Sequence, residues 1–145
     1  MNRDQVISRY KALVEKLDEL PHHVVLSAGG ALVMMGVREK TEDLDVDIRP
    51  SVFNWVGITL PKIAEENVSL RIKYDSFIDL HVLSEDTGLA CIDGVWCYSA
   101  REMLLQKKHL ANIPNRTPGK RERDLMEIVH LESLVRSPRL TARMA

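Results

Sequence analysis

From Asp43 to Ile48 the chain alternates acid and aliphatic residue, Asp43-Leu44-Asp45-Val46-Asp47-Ile48, and that alternation restricts the fold more than any other stretch. A period of two is the signature of a strand with one wet and one buried face, which directs Leu44, Val46 and Ile48 into a core and Asp43, Asp45 and Asp47 to the other side. Carboxylates so arranged repel one another by roughly 4 kcal/mol per close pair at an effective dielectric of 20, so the acidic face calls for a counter-charge, and a divalent cation is the usual one.

The segment leading into this strand is equally specific. Gly29-Gly30 follows an apolar run, Val24-Val25-Leu26-Ser27, and precedes a short helix over Ala31 to Met35. The glycines let the backbone turn sharply and approach a ligand, so that the free amides of the helix start face a phosphate. Gly29, Gly30, Leu32, Gly36, Val37, Arg38, Thr41, Asp43 and Asp45 together resemble the core of the minimal, polymerase-beta-like nucleotidyltransferase superfamily, in particular the small abortive-infection and toxin-antitoxin proteins of bacteria and phages.

That resemblance implies an α+β fold, a short mixed sheet with flanking helices and two C-terminal helices. It implies Mg²⁺ (or Mn²⁺) held by Asp43 and Asp45, with a third carboxylate from a later strand. Asp79 in Phe77-Ile78-Asp79-Leu80-His81-Val82 stands in that role, with His81 on the same face by period two. Asp47 is an extra acid one step along, and the pair Asp45 and Asp47 is the alternative register. Gly29, Gly30 and Thr41 would bind the nucleotide. Lys107 would neutralise its triphosphate, and Asp124, in the short match Arg123-Asp124-Leu125, would orient that lysine. The activity implied is transfer of a nucleoside monophosphate from an NTP to a hydroxyl on an RNA or tRNA 3′ end, a protein or a small molecule, in toxin-antitoxin or phage-defence biology with an antitoxin-like partner. The alternative is a catalytically silent copy of the fold that binds nucleotides or proteins.

The remaining chain supplies a scaffold. Residues 3 to 20 read as an amphipathic helix with Ile7, Tyr10, Leu13, Val14, Leu17 and Leu20 at spacings of three and four, ended by Pro21, after which His22 and His23 open the first strand. Ser51 caps a helix that continues or restarts at Pro61. Val68 to Tyr74 and Phe77 to Leu83 read as strands, and Asp93-Gly94 as a two-residue hairpin turn that pairs Cys91 with Trp96 and Ala90 with Cys97. The two sulfurs then lie on opposite faces, which argues against a disulfide. Ser99 and Glu102 have capping-box spacing before a helix through Leu110, and Thr117-Pro118 starts another that runs to about Val135.

The sequence predicts one domain over residues 1–135 and a basic, flexible tail over 136–145. Residues 39–86 hold eleven acids against five bases, whereas residues 99–145 hold ten bases against five acids. An acidic centre beside a basic flank suits a metal-nucleotide complex and a polyanionic acceptor. With no apolar run near the roughly 20 residues of a membrane span, a cytoplasmic protein is expected. A calcium loop is excluded because Ile48 and Asn54 stand where glycine and glutamate are needed, and no Gly-Lys-Ser/Thr ending follows Gly30 to make a kinase-type phosphate loop.

Overall fold

A computed structural model of the protein describes residues 1–48, 71–82 and 88–137. It is a mixed α+β structure. Among the described residues four helices, α1 (Arg3–Leu17), α2 (Ala28–Met34), α3 (Ala100–Ala111) and α4 (Pro118–Arg136), accompany the strands β1 (Val24–Ser27), β2 (Leu44–Ile48), β3 (Arg71–Lys73), β4 (Ile78–Val82), β5 (Leu89–Ile92) and β6 (Val95–Tyr98). The sheet order is β3-β4-β2-β1-β6-β5, with β2/β4 and β1/β6 parallel and the other neighbours antiparallel.

The alternation over 44–48 is realised as expected: Leu44, Val46 and Ile48 are fully buried and the aspartates between them half-buried. Their core partners are Val24, Leu26, Ile78 and Leu80 of the neighbouring strands, with Val6, Tyr10, Leu13 and Leu17 of α1 and Met103 and Leu104 of α3. The hairpin has the register read from Asp93-Gly94, with Cys91 opposite Trp96 and Ala90 opposite Cys97. Both cysteines are free thiols, and burial pushes that of Cys97 up to about 12.

Several boundaries differ from the sequence reading, each for a local reason. Helix α1 stops at Leu17 because Asp18 takes a left-handed conformation (φ 49°) and its amide closes on the Glu15 carbonyl. Leu20 is therefore 55% exposed rather than the last member of the stripe. Pro21 starts a single 3₁₀ turn that absorbs His22 and His23, so β1 begins at Val24. Helix α2 starts three residues early, at Ala28, and takes both glycines into its first turn. Phe77 and Tyr74 lie just outside β4 and β3, joined by a turn in which Asp75 Oδ1 accepts from the amides of Phe77 and Ile78 (2.7 and 2.9 Å). The Ser51 helix, Val68 to Leu70, Leu83 and the tail beyond Ser137 lie outside the described residues. Among the described residues no helix is long and apolar enough to cross a membrane.

Asp93 and Gly94 both have positive φ (49° and 79°), the requirement of a tight turn that matches strand twist. Gly94→Ala places a Cβ in a conformation costing about 1–2 kcal/mol. A loss of that size in chemical denaturation, with the native hairpin kept, is the expected outcome.

Candidate functional site

Sheet register assembles the polar half of the site. Ser27, Asp45, Asp79 and Lys73 are successive Cα partners across β1, β2, β4 and β3, so they form one row on one face. Asp79 is on an inner strand and only 1% exposed, with Lys73 Nζ 3.7 Å from its Oδ1. That excludes a solvated edge-strand acid. His81 Nε2 lies 3.1 Å from Asp45 Oδ1, diagonally across the β2/β4 pair. Asp47, the extra acid, accepts a hydrogen bond from the Tyr98 hydroxyl instead. Burial raises its carboxyl above the ordinary range, against the opposing pull of Tyr98 and His81.

The glycine pair divides its work. A Cβ on Gly29 would stand 2.3 Å from Thr41 Oγ1 and 2.8 Å from Arg38 Nη1, so only glycine lets the loop over residues 36–41 lie on the start of α2. A Cβ on Gly30 would stand 3.0 Å from Leu44 Cδ2, which ties that glycine to core packing. Thr41 is buried, and its hydroxyl donates to the Asp43 carbonyl at 3.0 Å, fixing the entry to β2. Ala28 precedes the pair with φ 48°, a left-handed conformation whose cost is of order 1–3 kcal/mol and which the sequence did not signal.

The other half comes from the two C-terminal helices. Lys107 of α3 is buried, with Nζ 2.8 Å from Asp124 Oδ1 and 3.0 Å from Glu127 Oε1 of α4. Arg116 donates to Asp124 through Nε (2.9 Å), and Arg38 clasps Glu127 through Nε and Nη2 (2.9 and 2.8 Å). Burial alone would raise both carboxyls. For Asp124 the hydrogen bonds and charges of Arg116 and Lys107 outweigh it, and for Glu127 those of Arg38 and Lys107 do, so both titrate below the ordinary range. Arg123 Nε also lies 3.9 Å from Glu127 Oε1, so four cations surround two anions and positive charge is in excess. Lys108, one residue on, is turned outward, 3.9 Å from Glu132.

Between the halves lies a cavity of about 760 Å³. Gly29, Thr41, Glu42, Asp43 and Asp45 line it together with Arg38, Lys40, Lys107, Arg116, Lys120 and Arg123. Of the sequence-predicted residues, these walls gather Gly29, Thr41, Asp43, Asp45 and Lys107; Asp79 and Asp124 stand behind them, touching Asp45's row and Lys107, and Gly30 faces the core. Asp47 is not on the cavity wall, so Asp43 and Asp45, not Asp45 and Asp47, are the pair that shares it.

Among the described residues no three His, Cys, Asp or Glu side chains form a ready-made metal shell. The donor set still suits Mg²⁺, a hard cation commonly held by one or two carboxylates together with substrate phosphates. Glu127 and Arg116 were missed by the sequence reading. The signal was present: Asp124, Glu127, Leu131 and Leu134 repeat at 3-4-3 spacing, which puts two acids on the helix face that the leucines bury. No protein-family model, curated protein or solved structure matches the chain.

The shifts have opposite consequences for stability. Asp124 and Glu127 are depressed, so their contribution is complete above the ordinary carboxylate range near pH 4 and is lost as pH falls through their folded values. Asp124→Ala leaves Lys107 with Glu127 alone and Arg116 without its carboxylate, and is expected to destabilise by about 3 kcal/mol at neutral pH. Asp47 is raised, so ionising it in the fold costs stability as pH climbs past its folded value. Asp47→Asn should therefore raise the melting temperature at neutral pH and lose that advantage below about pH 4. Thermal melts of the two variants and the wild type across pH check both signs.

Proposed function

We propose that the protein is a metal-dependent nucleotidyltransferase that moves a nucleoside monophosphate from an NTP to a hydroxyl acceptor. The observation that carries this reading is one cavity lined by Asp43 and Asp45, with Glu42, and by six cationic side chains, a combination of charge suited to a metal together with a polyphosphate. The resemblance of Gly29 to Asp45 to the nucleotidyltransferase core supports it. Asp43 and Asp45 would hold Mg²⁺ or Mn²⁺, and Asp79 adds negative charge from the same row. When bound, the metal neutralises phosphate oxygens and polarises the α-phosphate.

In the reaction proposed, the acceptor oxygen bonds to the α-phosphorus as the bond from that phosphorus to the α,β-bridging oxygen breaks. The hydroxyl proton passes to a carboxylate of the Asp45–Asp79 row, and pyrophosphate leaves with the bonding electrons. Thr41 and the Gly29 backbone bound the nucleotide side of the cavity. Arg116, Lys120 and Arg123 offset the charge of the polyphosphate, together with Lys107, whose ammonium Asp124 and Glu127 orient. The excess of cations suits an RNA or tRNA 3′ end as acceptor. A protein hydroxyl or a small molecule presents the same nucleophile. An antitoxin-like partner belongs to the same reading.

A second reading, a catalytically silent nucleotide-binding module, draws on one observation: Lys107 already contacts two carboxylates and its side chain is only 6% exposed. One experiment separates the two. The protein is incubated with each labelled NTP, Mg²⁺ and cell extract, and the label is followed into RNA, protein and small molecules. Transfer is expected in the wild type, abolished in Asp43→Asn and Asp45→Asn, and largely kept in Asp47→Asn. Lys107→Ala should lose about 100-fold in rate, the order of one electrostatic stabiliser, with a smaller loss of NTP affinity, while Lys108→Ala behaves as wild type. Nucleotide binding without transfer to any component favours the silent module. Absence of any Mg²⁺- and NTP-dependent rise in melting temperature would falsify both readings.

A further inference from the structure

Helix α4 buries two acids, Asp124 and Glu127, beside Leu131 and Leu134, and leaves three large apolar residues on its outer face. Along its solvent face Glu122, Leu125, Met126, Val129, Ser133 and Arg136 recur at helical spacing, and all six are exposed. Leu125 is 52%, Met126 74% and Val129 70% exposed, a contiguous apolar centre of a kind that soluble surfaces seldom leave bare. The opposite face is satisfied by the Lys107 ion pairs and by Leu131 and Leu134, so this stripe has no role in the site just described.

The placement of charge selects an occupant. Glu122 and Arg136 stand seven residues on either side of Val129, two helical turns or about 10 Å each way. Two copies of α4 laid antiparallel across a two-fold axis at Val129 would therefore set Glu122 of each against Arg136 of the other, with Leu125, Met126 and Val129 packed between. A parallel pairing would set Glu122 against Glu122 and Arg136 against Arg136. Antiparallel packing also opposes the helix dipoles favourably. Arg136 already bonds Glu132 at 3.2 Å, yet with a 77% exposed side chain its guanidinium has donors for a second carboxylate.

We propose that the outer face of α4 is a self-complementary docking surface through which a second copy of this chain binds antiparallel about Val129. Met126 and Glu122 also line a cavity of about 610 Å³ that shares Arg38, Lys40 and Arg123 with the larger one, so the second copy would form a wall beside the candidate site. The proposal does not depend on the catalytic reading.

The test is oligomeric state, read by sedimentation velocity across a wide range of protein concentration, with circular dichroism as the folding control. The wild type should show a reversible monomer–dimer equilibrium. Val129→Glu, which brings two like charges together at the axis, should be monomeric. Glu122→Arg and Arg136→Glu should each raise the dissociation constant by about tenfold or more, since two opposite-charge contacts become like-charge ones. Mixed in equal amounts, these two variants carry complementary ends and should associate more tightly than either does alone. A wild type that stays monomeric throughout overturns the proposal, including the case in which the face binds a different protein. So does a dimer that survives Val129→Glu, or a mixture that fails to restore association.

Discussion

The ammonium of Lys107, buried between Asp124 and Glu127, is the interaction on which the arrangement of this protein depends. A lysine at that depth is tolerated only with carboxylates in contact, and the carboxylates in turn need Arg116 and Arg38 to cover their remaining oxygens. Four segments are thereby drawn to one point: α3, the turn after it, α4, and the loop between α2 and β2. The same contacts bring that loop onto Gly29, because Arg38 reaches Glu127 while its Nη1 lies over the glycine.

Such a cluster stabilises less than its number of ion pairs suggests, since desolvation consumes most of the Coulomb gain. Its value is in orientation. With Lys107, Arg116, Arg38 and Arg123 around two anions, the cluster keeps positive charge in excess at the wall of the cavity, and Lys40 and Lys120 add to it. Among the acids of the cavity, Asp45 is held by the sheet, in a row that pairing of β1, β2, β4 and β3 fixes in register, and Asp43 stands at the entry to β2 that the Thr41 hydroxyl holds. The site thus joins one strand face, the segment between α2 and β2, and the two C-terminal helices with the turn between them.

The cost of burying charge on the inner face of α4 appears on its outer face. A helix that faces the core with Asp124, Glu127, Leu131 and Leu134, and packs Ile128 and Val135 against its edge, leaves three further apolar residues to solvent, the stripe of Leu125, Met126 and Val129. Helix amphipathicity ordinarily separates apolar from polar faces. Here both faces are mixed, consistent with one serving the site and the other an interface.

By itself the sequence determined the local elements whose chemistry is written in short range. The alternation at 43–48, the Asp93-Gly94 hairpin with its register and the start of α3 at Ser99 follow from period, turn residues and capping, all of which act within a few positions. The resemblance also paired Lys107 with Asp124, and the structure joins them at 2.8 Å. Only the tertiary structure decided that Asp43 rather than Asp47 shares the cavity with Asp45, because that depends on where Tyr98 of β6 lands, 51 residues away. It alone brought Glu127, Arg116 and Arg38 to Lys107, because ion pairs between residues up to 89 positions apart leave no periodic trace in the chain. It also gave Gly30 to the core and Gly29 to the cavity, a distinction between adjacent identical residues that depends on the side chains packed over each.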